Sequence, residues 1–193
     1  MKHGLMHAFG FVTAALLALG AGPAAADAVG PYYATPSWDQ TLPASTRFIV
    51  LSNLSSAAVL DRETGLVWLQ APGTQAGFGN YQAMSSDICP NIAVGNRLGW
   101  RLPTMQEMLT LIDASISSGI ALPAGHPFTN VRGGLYWTAT HYWFDATQVY
   151  VVSLSNMAFP PSRPEFVFGT IPANSDTQLN AWCVRSAQVA NPQ

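Results

Sequence analysis

Strand-like segments come from both ends of this chain, while its two helical segments lie together in the middle. Helices that do not alternate with strands predict an α+β fold, not a parallel βαβ arrangement. Two cysteines, Cys89 and Cys183, fall at the end of the first predicted helix and in the last predicted strand. The expected class is therefore two short helices with an antiparallel sheet and long loops.

Taken in order, residues 46–51 (TRFIVL) have the β-branched and aromatic character of a strand. Ser52 to Ser56 reads as a turn. Residues 57–70 read as a hairpin whose polar tip, Asp61-Arg62-Glu63-Thr64-Gly65, ends on glycine. A Gly-rich loop over 71–79 follows. Asn80 can cap a helix through about Ile88, with Tyr81, Met84 and Ile88 on one face. Pro90 is expected to stop that helix at Cys89.

The second helix has the clearest signature. Thr104 and Glu107 have capping-box spacing, and Met105, Met108, Leu109 and Ile112 form an apolar stripe after them. Its end is expected between Asp113 and Ile116, before a loop over 117–134. Leu135 to Thr140 and Gln148 to Leu154 read as strands, with His141 to Thr147 a long loop between them. Residues 155–180 read as loop, and Ala181 to Arg185 as the last strand.

The chain has 193 residues, enough for one ordinary domain. It is 49% hydrophobic and only 9% charged, which excludes a disordered charged tail. Lys2 is followed by the apolar run Ala8–Ala21, a Gly22-Pro23 break and Ala24-Ala25-Ala26. That pattern reads as a secretory signal peptide cleaved after Ala26; a retained membrane anchor is the alternative, disfavoured by length. After cleavage, seven arginines face ten carboxylates, a net charge of −3. No nucleic-acid partner is expected on that balance, since phosphate binding wants a basic face. The division is a signal peptide at 1–26, a lead-in and first strand at 27–56, a domain at 57–186 and a tail at 187–193. The expected location is periplasmic or secreted, with no transmembrane segment after signal cleavage. An exported chain with two cysteines most often pairs them, so a Cys89–Cys183 disulfide is expected. Two independent buried thiols are the alternative.

The string Leu60-Asp61-Arg62-Glu63-Thr64-Gly65-Leu66-Val67-Trp68 resembles the opening motif of the Lcl C-terminal domain family. The resemblance continues through the helix Ala83 to Cys89, then Gly99-Trp100-Arg101-Leu102-Pro103-Thr104 with Glu107 and Leu109. It ends with Phe128, Tyr136-Trp137-Thr138-Ala139-Thr140 and Cys183-Val184-Arg185. The match covers about 57–186. It implies a C-type-lectin-like fold, surface or periplasmic placement and, in some members, adhesion to sulfated polysaccharide. The Trp-Arg-Leu-Pro-Thr segment is also similar to that of formylglycine-generating and related enzymes. The chain departs from both, because it is acidic where sulfate adhesion wants cations, and its two cysteines suit a disulfide better than oxidase chemistry. It also lacks the Glu-Pro-Asn and Trp-Asn-Asp triplets of calcium-dependent lectins.

No catalytic residue is assigned. His126 and His141 lack any metal-ligand spacing, no serine sits in Gly-x-Ser-x-Gly, and neither a metal nor a cofactor is expected. Glu107 is explained by the capping box, and Arg101 by a carboxylate or carbonyl partner within the fold. Trp68, Trp137 and Trp182 read as core. His141-Tyr142-Trp143-Phe144-Asp145 differs, because three adjacent aromatics in a loop cannot all point inward. The alternative is that Trp143 or Phe144 folds back under the 155–180 loop. The candidate ligand-binding residues are Tyr142, Trp143 and Asp145, with Arg132 or Arg163 from neighbouring loops.

The expected function is an exported, non-catalytic binding module, adhesin-like or for surface display, with a polysaccharide or a surface protein as partner. A cell-envelope enzyme and a structural envelope protein are the alternatives. N-terminal sequencing of the exported protein is expected to read from Asp27; retention of residues 1–26 in a membrane fraction would reverse the localisation.

Overall fold

The computed structural model describes residues 42–155 and 168–186. Two sheets carry the fold. The first runs β1 (Phe48–Val50), β2 (Ala58–Asp61), β3 (Leu66–Leu69) and β9 (Val184–Ser186), all antiparallel. The second has the order β4 (Phe78–Gly79), β8 (Leu179–Asn180), β5 (Leu135–Tyr142), β6 (Asp145–Ser153), β7 (Phe168–Pro172). Its pairs are antiparallel except the single β5–β8 contact, which is parallel. Short helices α1 (Ala44–Arg47), α2 (Pro72–Gln75), α3 (Tyr81–Ala83), α4 (Cys89–Asn91) and α5 (Met105–Leu109) fill the connections. The fold is α+β, as expected.

The 57–70 hairpin forms with Ala58 opposite Leu69 and Asp61 opposite Leu66. Both strands are buried along their whole length, which is why they lack polar alternation. Gly65 takes a positive φ of 69° at the turn, where a side chain would be strained. Asp61, fully buried, accepts Arg47 Nε at 2.9 Å and Arg47 NH2 at 2.8 Å. The same guanidinium reaches the Thr110 carbonyl at 2.7 Å and Glu63 at 3.0 Å. Residues 46–51 are therefore not one strand. A helical turn at Ala44–Arg47 precedes β1 and places Arg47 over the buried carboxylate.

Asn80 caps its helix as predicted, its side chain accepting the Ala83 N–H at 2.9 Å. The helix does not stop at Cys89. A π turn, Met84–Ile88, widens the ladder and α4 continues past Pro90 to Asn91. Proline lacks an N–H and its ring collides with the carbonyl four residues back in a regular helix, so a widened turn is how it is tolerated here. The capping box of α5 is present in both directions, Glu107 N–H to Thr104 Oγ1 at 3.1 Å and Thr104 N–H to Glu107 Oε2 at 2.8 Å. The helix ends early, at Leu109, and the following turns direct Leu111 fully into the core.

Three segments read as loop contain structure. Residues 71–79 hold α2 and β4. Residues 155–180 hold β7 and β8; residues 156–167 lie outside the described part. His141 to Thr147 is mostly strand, closing in a two-residue turn. Short apolar content and prolines hid β7 and β8, whose pairing comes from neighbouring strands rather than local propensity.

The disulfide Cys89–Cys183 is formed, with S–S 1.98 Å and both residues fully buried. Closing a loop of about 95 residues restrains the unfolded chain by roughly 4–5 kcal/mol on the chain-entropy account. Of the predicted last strand, Val184 and Arg185 lie in β9, while Ala181, Trp182 and Cys183, buried between β8 and β9, form a crossing from one sheet to the other. Removing Arg47 would leave Asp61 charged and without its partner. Arg47→Ala is expected to cost about 3–5 kcal/mol in urea unfolding, and Arg47→Met combined with Asp61→Leu to restore most of it. A loss below about 1 kcal/mol in the single variant would show the pair to behave as a surface contact.

Candidate functional site

The β5–β6 hairpin is shaped by two irregularities. Between Trp137 and His141, β5 advances four residues while β6 advances two; between His141 and Tyr142 the excess falls on β6. Bulges of this kind twist a ladder and re-aim its side chains. The groups freed from pairing are used elsewhere: the Ala139 N–H donates to the Pro103 carbonyl at 2.7 Å, and the Met105 N–H donates to Thr140 Oγ1 at 2.9 Å. The start of α5 thus docks on the bulge.

His141 secures the outer half of the hairpin. Its Nδ1 lies 2.8 Å from the Ala146 carbonyl, an acceptor only, so Nδ1 carries the proton. In the neutral ring Nε2 then accepts from the Tyr81 hydroxyl at 3.3 Å. Tyr81 also packs edge-on against Trp137 at 5.7 Å. Burial raises the pKa of Tyr81, which keeps its hydroxyl protonated and able to donate.

Tyr142, half-buried, meets Tyr150 edge-on at 5.6 Å, and Tyr150 meets Phe168 at 6.0 Å. Phe144 lies 5.8 Å and Trp143 6.4 Å from the Tyr142 ring. Beside these rings runs a polar chain. Thr170 Oγ1 donates to Gln148 Oε1 at 2.8 Å, and Gln148 Nε2 to Asp145 Oδ2 at 3.2 Å. Asp145 Oδ1 accepts from the Thr147 hydroxyl at 2.6 Å and the Thr147 N–H at 3.0 Å. Hydrogen bonds from the Thr147 hydroxyl, its N–H and Gln148 hold the Asp145 carboxyl below its usual pKa.

Tyr142, Trp143 and Asp145 are brought together by the hairpin end. Trp143 and Phe144 are exposed at the turn. Asp145 braces the turn through Thr147 and Gln148. Arg132 is not near them. It precedes β5, at the opposite end of an eight-residue strand, or roughly 26 Å away at about 3.3 Å per residue. There its backbone N–H and carbonyl both bond the Tyr136 hydroxyl, at 3.0 and 2.7 Å. Arg163 lies outside the described residues. Tyr150 and Phe168 are additions. Tyr150 fell within the predicted strand Gln148 to Leu154 without being singled out, whereas Phe168 fell in a segment read as loop.

The other candidates have internal roles. Arg101 forms a two-pronged ion pair with Glu107, both contacts at 2.7 Å, and also donates to the Leu102 carbonyl. Burial works against the Glu107 charge, but the Arg101 bonds, the Thr104 N–H and hydroxyl, and the attraction of Arg101 outweigh it and lower the carboxyl pKa. Burial keeps the His126 pKa below its ordinary value, and its ring leans on Phe128 at 5.8 Å. Among the described residues no three His, Cys, Asp or Glu side chains are grouped to hold a metal ion. Nor is any described helix long and apolar enough to cross a membrane.

These features define a disulfide-tied two-sheet α+β domain with an aromatic hairpin end. The Lcl C-terminal domain matches residues 57–185, and the chain belongs to that family. Comparison with curated proteins and with solved structures finds no match.

The depressed Glu107 pKa sets a pH dependence. A carboxyl whose pKa is lower folded than unfolded stabilises the fold above its unfolded value, about 4.3, and that contribution is lost as pH falls through the folded value. Glu107→Gln retains a group able to reach the Thr104 N–H but cannot titrate. It is expected to be slightly less stable at pH 7 and to lose stability less steeply in acid. Parallel acid curves for the two proteins would remove Glu107 from that role.

Proposed function

We propose that this chain is an exported, non-catalytic binding module of the cell envelope or cell surface, and that its ligand is a polysaccharide held on the ring face of Tyr142, Tyr150 and Phe168. The observation that carries this reading is the set of half-buried rings at the open end of the second sheet, beside hydrogen-bonded Asp145, Gln148 and Thr170. A pyranose ring presents apolar C–H faces to aromatic rings and hydroxyls to polar neighbours. Tyrosine supplies both kinds of contact at low entropic cost. The nearby carboxylates argue against chemistry, since Glu107 is neutralised by Arg101 and Asp145 is bonded within its own turn. The disulfide supports an oxidising compartment, in agreement with the signal-like N-terminus.

A glycan array probed with the exported protein is the direct test. Tyr142→Ala is expected to weaken the best binding at least about tenfold, the effect of losing a central aromatic contact. Tyr150→Phe, which keeps the ring and loses the hydroxyl, should give a smaller loss without unfolding. Binding is expected to survive a chelator. Equal binding by folded Tyr142→Ala would remove the ring face as the contact surface.

A further inference from the structure

The ring face has a charge and a balance of hydrogen-bond donors and acceptors, and both select among polysaccharides. Asp145 stands opposite Tyr142 and Thr170 opposite Tyr150, with Gln148 two residues from Tyr150 on the same strand. Directly paired residues share a side of a sheet, as do residues two apart on one strand. Polar groups therefore lie among the rings. Residues 135–153 and 168–172, which form β5, β6, their turn and β7, contain no Lys or Arg, and Asp145 is their single carboxylate. Hydrogen bonds from Thr147 and Gln148 keep that carboxyl ionised at neutral pH. The described arginines are committed or placed elsewhere. Arg47 and Arg101 are bound to carboxylates. Arg62 and Arg185 belong to a turn and an edge strand of the first sheet, Arg97 bridges to Val94, and Arg132 precedes the inner end of β5. Residues 156–167, outside the described part, add one arginine and one glutamate and so no net charge.

The polar groups beside the rings are also short of donors. The Thr147 and Thr170 hydroxyl protons and one Gln148 N–H are already used within the hairpin and β7. Among the described residues, the second Gln148 N–H remains to donate. Asp145 Oδ2, Gln148 Oε1 and Thr170 Oγ1 each retain capacity to accept, and the two phenols can do either. A ligand at this face must bring protons as well as lone pairs. Sugar hydroxyls bring both. Sulfate and carboxylate groups only accept, and they would give up water here with no cation to replace it. An ammonium sugar would meet a single carboxylate that already accepts three hydrogen bonds.

We propose that the ring face selects an uncharged, hydroxyl-rich polysaccharide and excludes sulfated and uronate-bearing chains. This rests on the reading that Tyr142, Tyr150 and Phe168 hold a glycan, and it names the class they hold. Recognition then comes from ring stacking and hydrogen bonds to hydroxyls, not from ion pairing, so salt does not screen it.

The test uses the exported protein at neutral pH with glucan, mannan and galactan, each as the native chain, after chemical sulfation and after carboxymethylation, and with chitosan as the cationic polymer. At least one native chain is expected to bind, its sulfated and carboxymethylated forms about tenfold more weakly or worse, with affinity unchanged from low to high sodium chloride. Asp145→Asn keeps an oxygen to accept from Thr147 and removes the charge. It is expected to raise binding of the sulfated form relative to the native chain about threefold, the effect of one charge acting through water. A purely structural loss would lower both and leave that ratio unmoved. Tighter binding of a sulfated or carboxymethylated form, binding lost as salt rises, preference for chitosan, or an unmoved ratio in folded Asp145→Asn would each overturn the proposal. The ring face itself survives those outcomes if Tyr142→Ala still weakens whatever binds. Equal binding by folded Tyr142→Ala, or no binding to any of the polymers, removes the ring-face reading and this proposal with it.

Discussion

Everything in this fold meets at the crossing segment Ala181–Val184. It leaves the second sheet at Asn180 and enters the first at Val184, with all four of its side chains buried. Cys183 is bonded to Cys89 of the helical layer, and its carbonyl accepts the Leu69 N–H at 3.2 Å. Trp182 donates Nε1–H to the Leu69 carbonyl at 2.8 Å and packs against Trp68, Phe128 and Tyr136. Val184 and Arg101 exchange backbone hydrogen bonds of 2.8 and 2.9 Å. Four residues therefore hold two sheets, a helix and the Arg101 segment in one register. These buried bonds tolerate little displacement, because each one lost would leave an unpaired group away from water.

The candidate site inherits its geometry from that junction by a short chain of contacts. Asn180 pairs beside Tyr136 at the inner end of β5. Trp137 donates Nε1–H to the Gly79 carbonyl at 2.8 Å, which joins β5 to the turn before α3. Tyr81, next along, contacts both Trp137 and His141. The inner half of the hairpin is core, and the outer half projects aromatic groups from a braced base. Loops on rigid scaffolds commonly carry function in this way. Here a strand pair does so, with Trp143 and Phe144 at its turn.

The charged side chains at the turns and the helix start share a common structural use. Asp61, Glu63, Arg101 and Glu107 each satisfy backbone groups as well as an ion partner. Asp61 accepts the Glu63 N–H while holding Arg47. Glu107 accepts the Thr104 N–H while holding Arg101. Such double use organises a turn or a helix start and commits these side chains to partners within the fold.

What the amino-acid sequence determined by itself is the local part of this protein. The Asp61–Gly65 turn, the Asn80 cap, the Thr104–Glu107 box and the half-buried stripe around Met108 all depend on neighbours within a few residues, so their signals are contiguous. The Cys89–Cys183 pair was legible from count and compartment alone. Distant partners decided the rest. Arg47 became a buried ion because Asp61 and Thr110 converge on it, although its own segment reads as strand. Residues 168–172 became a strand because β6 offers them an edge. Arg132 moved away from the aromatic group because β5 runs between them. Trp143 and Phe144 became a bare tip because irregular pairing shortened a long loop to two residues. Pairing energy lies in the partner strand as much as in the strand itself, and no pattern read along one segment contains it.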